Sequence, residues 1–258
     1  MRSEGTTMIA RSLLSVTVAL LAAVAPVIGA EAPKSIRTLV YAIAYAARTR
    51  NEEHTSGFTG KAGGPANIAE GNAAVERVAD VNDDGTLTIE VIAATSDGGL
   101  VVDSTFAGRA TNQSSVRVAI FPDGRLSYDP RAVLSVEATH VLPLLARGVI
   151  AGRDVSPGSS WTTAVPYPAA RGSTIYHVTH VEGDRADLAI ESEMTESGPR
   201  GFSEHGHGTA TYATDRLCPL LYELQAQSRH QPTPEQYVTA TAHLTAKLVS
   251  DTFAKHPS

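Results

Sequence analysis

From Tyr237 to Val249 the chain alternates without interruption. Val238, Ala240, Ala242, Leu244, Ala246 and Leu248 fall on one face, and Tyr237, Thr239, Thr241, His243, Thr245 and Lys247 on the other. A period of two with one apolar and one polar face predicts an antiparallel strand buried on one side. Arg37 to Arg50 shows the same grammar, with Leu39, Tyr41, Ile43 and Tyr45 set against smaller residues. Tyrosine and β-branched residues in this rhythm suit a strand, although the alanines between them also permit a helix. Shorter runs predict further strands at Leu100–Phe106, Val116–Phe121, Arg125–Tyr128, Thr174–Val181, Ala186–Thr195, Phe202–Thr214 and Leu217–Gln227. Turn residues punctuate them, as at Asp97-Gly98-Gly99, Pro122-Asp123-Gly124 and Ser197-Gly198-Pro199-Arg200-Gly201. Sequential antiparallel pairing is the simplest topology for such a series.

One pattern occurs twice. Val75–Glu90, VERVADVNDDGTLTIE, aligns with Ile175–Glu191, IYHVTHVEGDRADLAIE. Val75, Val78 and Val81 match Ile175, Val178 and Val181, and Asn82-Asp83-Asp84-Gly85 matches Glu182-Gly183-Asp184-Arg185. After one inserted residue, Leu87, Ile89 and Glu90 match Leu188, Ile190 and Glu191. Each copy reads as a β-hairpin, an apolar run and an alternating run around a polar turn, so the chain is expected to contain two similar halves. Between them, Ala132–Ile150 departs from period two. Val133, Val136 and His140, then Val141, Leu144 and Leu145, approach helical spacing, with Pro143 forcing a kink or a fresh turn.

The expected fold is therefore mainly β: two antiparallel strand-rich halves forming a curved sheet or half-barrel, joined by one or two short helices. Half 1 spans about 35–130, the crossover about 131–152 and half 2 about 153–252, within a single domain over 33–258. Asp154–Trp161 reads as turn chemistry. Asn51–Asn72, rich in Gly, Asn and Ser around Gly63-Gly64-Pro65, reads as a long loop, and loops of that length are commonly lids, binding loops or mobile surface segments.

The N-terminus adds a compartment. Arg2 and Arg11 flank a start that leads into the uncharged run Leu13–Ala30, followed by Ala30-Glu31-Ala32. That is the form of a secretory signal peptide over residues 1–32, cleaved after Ala32 or after Ala30, and it predicts a secreted or periplasmic protein. No later segment is apolar over a spanning length. The net charge of −6 argues against nucleic acid as a partner. Cys218 is the only cysteine, so neither an intrachain disulfide nor a cysteine cluster for zinc can form; its ordinary role is a small buried hydrophobe.

Candidate chemistry is sparse. Asp80-Val81-Asn82-Asp83-Asp84-Gly85 resembles the start of a calcium loop, but the twelfth position is Val91 rather than a bidentate carboxylate, so a hairpin turn is expected instead. His205 and His207, two apart, would share one face of a strand, and at most one of His177 and His180, three apart, could join them as a metal ligand; solvent-facing histidines are the plainer reading. Trp161, the single tryptophan, is either a packed side chain or a ligand platform. No G-x-S-x-G, H-E-x-x-H, G-x-x-x-x-G-K-[ST] or G-x-G-x-x-G pattern occurs, and no catalytic residue, cofactor or metal is assigned. Asn112-Gln113-Ser114 has the form of a glycosylation sequon.

Together the repeat and the turn Ser156-Pro157-Gly158-Ser159-Ser160-Trp161 resemble exported bacterial proteins built on a duplicated, strongly curved antiparallel sheet. More distantly they resemble periplasmic lipoprotein carriers. The resemblance implies a fold and a compartment, and it transfers no functional residue. The function expected from it is a non-catalytic binding or carrier module for an apolar small molecule or lipid. The alternatives are a structural or interaction protein of the cell envelope, partnered by another envelope protein, and a hydrolase. In the first case the alanine faces Ala240, Ala242, Ala246 and Ala42, Ala44, Ala46 would line the interior, with the 51–72 loop at its mouth.

Overall fold

Alternation at the two ends of the chain is what assembles the sheet. The computed structural model describes residues 35–55, 73–109, 115–166, 170–196, 201–233 and 236–253. The first strand, β1 (Arg37–Thr55), and the last, β11 (Gln236–Asp251), pair antiparallel along most of their lengths, with Tyr41 opposite Leu248, Ile43 opposite Ala246 and Tyr45 opposite Leu244. Opposed residues in a ladder share a face, so the two apolar stripes merge into one. From this central pair the sheet grows outward through β2 (Ala73–Ala94), β3 (Leu100–Gly108), β4 (Val116–Ile120) and β5 (Leu126–Tyr128) on one side. On the other it grows through β10 (Cys218–Thr233), β9 (Phe202–Ala213), β8 (Arg185–Glu196), β7 (Ala170–Glu182) and β6 (Ser160–Pro166).

The result is one eleven-stranded antiparallel sheet in the order β5-β4-β3-β2-β1-β11-β10-β9-β8-β7-β6. Read from β6 it is a meander whose two ends in space, β5 and β6, are neighbours in the chain. A single crossover joins those edges: the helix α1 (Val136–Val141), then two short 3-10 helices at Leu142–Leu145 and Arg147–Val149. Ser135 starts α1, its hydroxyl accepting from the Ala138 amide at 3.1 Å. Pro143 sits in the first turn of the first 3-10 helix, where its missing N–H costs nothing.

The crossover also shows that the sheet is bent. Leu142–Leu145 packs against both β4 and β10, five inter-strand steps apart. Flat, those steps would cover about 24 Å, whereas four residues of 3-10 helix are about 8 Å long. Only a strongly curved sheet brings both strands to one short segment. The edges β5 and β6 do not pair with each other, so the sheet is not closed into a barrel. The buried face is the inner one. Leu39, Tyr41 and Ile43 of β1, Leu87 and Ile89 of β2, Val102 and Phe106 of β3, and Leu188 and Ile190 of β8 meet Val141, Leu142, Leu144 and Leu145 of the crossover in one core.

Four expectations are corrected. The first member of the repeat is not a hairpin: β2 is a single strand of 22 residues that runs straight through Asn82-Asp83-Asp84-Gly85, paired along its length with β1. Glu182-Gly183-Asp184-Arg185, in contrast, does turn the chain between β7 and β8, with Gly183 at φ 60°. The two polar stretches thus occupy unrelated places, and only the segments after them agree, with Leu87 and Leu188, and Ile89 and Ile190, all facing inward. The loop expected over 51–72 does not start at Asn51, because Asn51–Thr55 continues β1, where Asn51 lies opposite Val238 and Arg77; residues 56–72 lie outside the described ones. On β1, Ala42, Ala44 and Ala46 face outward and are exposed, the inner face being Leu39, Tyr41, Ile43 and Tyr45, whereas the alanines of β11 do face inward. Finally, turn chemistry over Asp154–Trp161 gives way at Ser160 to strand β6. The signal peptide at 1–32 and the sequon at Asn112-Gln113-Ser114 fall outside the described residues. Among the described residues no helix is long and apolar enough to cross a membrane.

Candidate functional site

The crossover fills only part of the hollow. Its far end is tied to the β4–β5 turn, where the Gly148 amide donates to the Pro122 carbonyl at 2.8 Å. Its middle is tied to β9, where the Tyr212 hydroxyl donates to the Leu144 carbonyl at 3.0 Å. Beside it, between α1 and the inner faces of β7 to β10, lies an open cavity of about 770 Å³, within the size range of small-molecule sites. Leu144, Tyr176, Ile190, Tyr222 and Leu224 form much of its wall, and it reaches the strand ends at Gly172, Glu196 and Phe202.

The strand alternation explains which polar groups enter it. On β9, Glu204 is in phase with Gly206, Ala210 and Tyr212, all buried on the inner face. Glu204 is therefore carried inward, while His205 and His207 are carried outward and exposed. The Glu204 carboxylate has no hydrogen-bond or ion-pair partner among the described residues, and burial pushes its pKa up. Tyr45 on β1 is pushed up by burial, then by Glu137 and least by Glu204; Tyr222 on β10 is pushed up by burial, then by Tyr176 and least by Glu204. Tyr176, also in the wall, is raised by burial to about 12.

His140 enters from α1. Its ring is densely surrounded, and what surface it keeps faces the cavity. It too makes no hydrogen bond among the described residues, and burial lowers its pKa to about 4. At neutral pH the site therefore holds an uncharged imidazole with one free N–H and one free lone pair. Glu193 and Glu196 add two exposed carboxylates toward the strand ends, and no lysine or arginine lines the cavity among the described residues.

The residues that the sequence singled out lie elsewhere. His205 and His207 do share a face, as their spacing requires, but it is the outer one. Their neighbours across β8 are Glu193 and Glu191, and across β10 Gln227 and Gln225. His177, exposed on β7, lies opposite Ala189, displaced along the sheet from both, and His180 follows a β-bulge. Among the described residues no group of three or more His, Cys, Asp or Glu is arranged to hold a metal ion. The calcium-like Asp80–Gly85 is strand. Within it Asp83 is buried and accepts from the Arg109 amide at 2.7 Å, while Asp80 and Asp84 face Arg48 and Arg109 at the surface. Trp161 stacks on Tyr176, ring centroids 5.6 Å apart, and its buried Nε1 has no partner among the described residues. Cys218 is fully buried; burial pushes its thiol up, against the nearby Arg37 guanidinium 3.2 Å away.

His140 and Glu204, which line the cavity from α1 and β9, were not singled out from sequence as functional residues. For Glu204 a signal existed: counting by twos from Tyr212 puts it on the inner face. His140 shared the helical spacing of Val133 and Val136 on the crossover, but no motif there marked it as a functional residue. Comparison with protein-family models and with curated proteins found no match.

Proposed function

We propose that this protein is an exported, non-catalytic binding or carrier module that holds an apolar ligand in the cavity between the crossover and β7–β10. The observation that carries this reading is the cavity itself. Its 770 Å³ is walled in large part by Leu144, Tyr176, Ile190, Tyr222 and Leu224, with His140, Glu193, Glu196 and Glu204 among the polar side chains that also line it. A protein acting only as an envelope scaffold has no use for a hollow of this size, since an unfilled interior forfeits packing energy. Burying an alkyl chain there would gain about 0.8 kcal/mol per methylene, so half a dozen buried methylenes would bring roughly 5 kcal/mol. The hydrolase alternative has less support: His140 has no hydrogen-bonded nucleophile or orienting carboxylate among the described residues, and a base–nucleophile pair requires one. Export rests on the uncharged run Leu13–Ala30 and the small residues that follow it.

Titration with N-phenyl-1-naphthylamine, an uncharged dye whose emission rises in apolar surroundings, tests the reading. Saturable one-site binding at micromolar concentration is expected. A linear, unsaturable response, or saturation unaffected by added alkyl compounds, would leave the envelope-interaction reading as the better one.

A further inference from the structure

Granted that the cavity is a binding site, its polar groups restrict what it can hold. We propose that it selects amphiphiles with a protonated amine head over those with a carboxylate head, Glu204 supplying the opposing charge and His140 a neutral acceptor.

Three independent features lead there. The first is charge. The acidic side chains that line the cavity among the described residues are Glu193 and Glu196 near the strand ends and Glu204 further in, and no lysine or arginine joins them. A second carboxylate brought beside Glu204 would repel it in surroundings of reduced dielectric, where such repulsion is stronger than in water. An ammonium would be attracted there by the same physics.

The second feature is unmet hydrogen bonding. Glu204 and His140 line the same cavity, one on β9 and one on α1; both are half-buried, and neither has a partner among the described residues. A carboxylate accepts only, and a neutral imidazole accepts at one nitrogen. An ammonium brings three N–H donors and nothing that needs a donor in return. It can donate to either group, whereas a carboxylate head offers only further acceptors to Glu204. Burial keeps His140 uncharged down to about pH 4, so it does not compete with the cation it would face.

The third feature is aromatic. Tyr176, Phe202 and Tyr222 line the cavity, and aromatic faces attract cations through their quadrupole while disfavouring anions. The apolar tail of the ligand would lie along Leu144, Ile190 and Leu224 on the remaining wall.

Competition measured at pH 7 below the micelle concentration tests this. Dodecylamine, dodecanol and dodecanoate share one tail and differ in the head, and each is used to displace N-phenyl-1-naphthylamine from the purified protein. Dodecylamine is expected to compete at least tenfold more strongly than dodecanoate, with dodecanol between them. Glu204→Gln keeps the side-chain shape and removes the charge, and it is expected to shrink the amine-to-carboxylate ratio severalfold. Dodecanoate competing as well as dodecylamine would overturn the proposal while leaving the carrier reading intact. An unchanged ratio in folded Glu204→Gln would overturn the role given to Glu204. Should that variant not fold, the wild-type ratio decides alone. Failure of the uncharged dye to bind would remove the carrier reading and this inference with it.

Discussion

Arg37 and Asp251 form a two-pronged ion pair, Nε and Nη2 each 3.0 Å from a carboxylate oxygen, and so fasten the first strand to the last. The arrangement is more than a pair. Arg37 also donates to the Arg216 carbonyl at 2.8 Å, the Phe253 amide donates to Asp251 at 2.9 Å, and the Arg216 guanidinium stands 3.5 Å from the same carboxylate. With the Asp251 side chain only 4 % exposed, the charges are largely removed from water. Bidentate geometry with every lone pair engaged is what makes such burial tolerable.

Removing one partner exposes that cost. Arg37→Leu is expected to destabilise the protein by about 2–3 kcal/mol, somewhat below the usual range for breaking a buried pair because Arg216 remains. Burial alone would raise the Asp251 pKa, but Arg37 and the Phe253 amide outweigh it and hold it below the ordinary value. A depressed carboxyl contributes stability above its unfolded pKa of about 3.9, and that contribution disappears as pH falls through the folded value. The urea midpoints of wild type and Asp251→Asn should accordingly differ at pH 7 and draw together as pH falls below about 3.9. A constant gap across that range would show that the pair does not govern the acid limb.

Tyr212 fastens the crossover to the sheet in the same sense. Its side chain is wholly buried and its hydroxyl donates to the Leu144 carbonyl. Tyr212→Phe keeps the ring and leaves that carbonyl without its donor, at an expected cost of about 1–2 kcal/mol. Hydrogen exchange should report the loss locally, with amides of 136–149 exchanging faster while those of β1 and β11 are little changed. Uniform acceleration would mean that the crossover is not a separable part of the structure.

How much of this was legible depended on where local and tertiary preferences agreed. On β11 they agree throughout, and the stripe from Val238 to Leu248 is the observed inner face. On β2 they conflict. Asn82-Asp83-Asp84-Gly85 is strong turn chemistry, yet pairing with β1 along its whole length, and with β3 from Gly85 onward, holds it extended. What reconciles the segment is a pair of facing glycines. Gly85 lies opposite Gly108, and the Asp83 carboxylate occupies the space that a Gly108 side chain would need. That fit depends on a neighbour more than twenty residues away, which no window along the chain contains. The cavity was illegible for a related reason. Alternation tells which side chains point inward, but whether they fill the space depends on how tightly the sheet bends and where the crossover rests.

His140 gives a pH signature of its own. Burial depresses its pKa from an ordinary 6.5 to about 4. The unfolded chain takes up this proton between those values and the folded one does not, so stability is intact above pH 6.5 and falls as pH drops toward 4. Burial of Glu204 raises its pKa and acts in the opposite sense, favouring the fold at lower pH. In His140→Gln the wild-type loss between pH 6.5 and 4, of the order of 2 kcal/mol, should largely disappear from the urea midpoints. Identical pH profiles for the two proteins would mean that the ring reaches bulk water.

The cavity can also be tested by filling it. Ser192, on β8, lines it, with Thr174 and Gly206 as its cross-strand neighbours. Gly206 has no side chain to obstruct a larger residue, and the space above Ser192 is the cavity rather than packed core. Most large-for-small substitutions inside a protein cost about 1–3 kcal/mol by overpacking. Here the added ring would enter a hollow and lie against Tyr222 and Leu224, so Ser192→Phe should fold with stability within about 1 kcal/mol of wild type. The same ring would occupy ligand volume. Affinity for N-phenyl-1-naphthylamine is expected to fall at least tenfold, which corresponds to about 1.4 kcal/mol of lost binding. Neither result alone is decisive, since a distorted protein also binds poorly and an unoccupied surface also tolerates a ring. Preserved stability with lost binding is the combination that only a ligand-sized cavity at Ser192 produces. A folded variant that binds the dye as wild type does would place the dye elsewhere on the molecule.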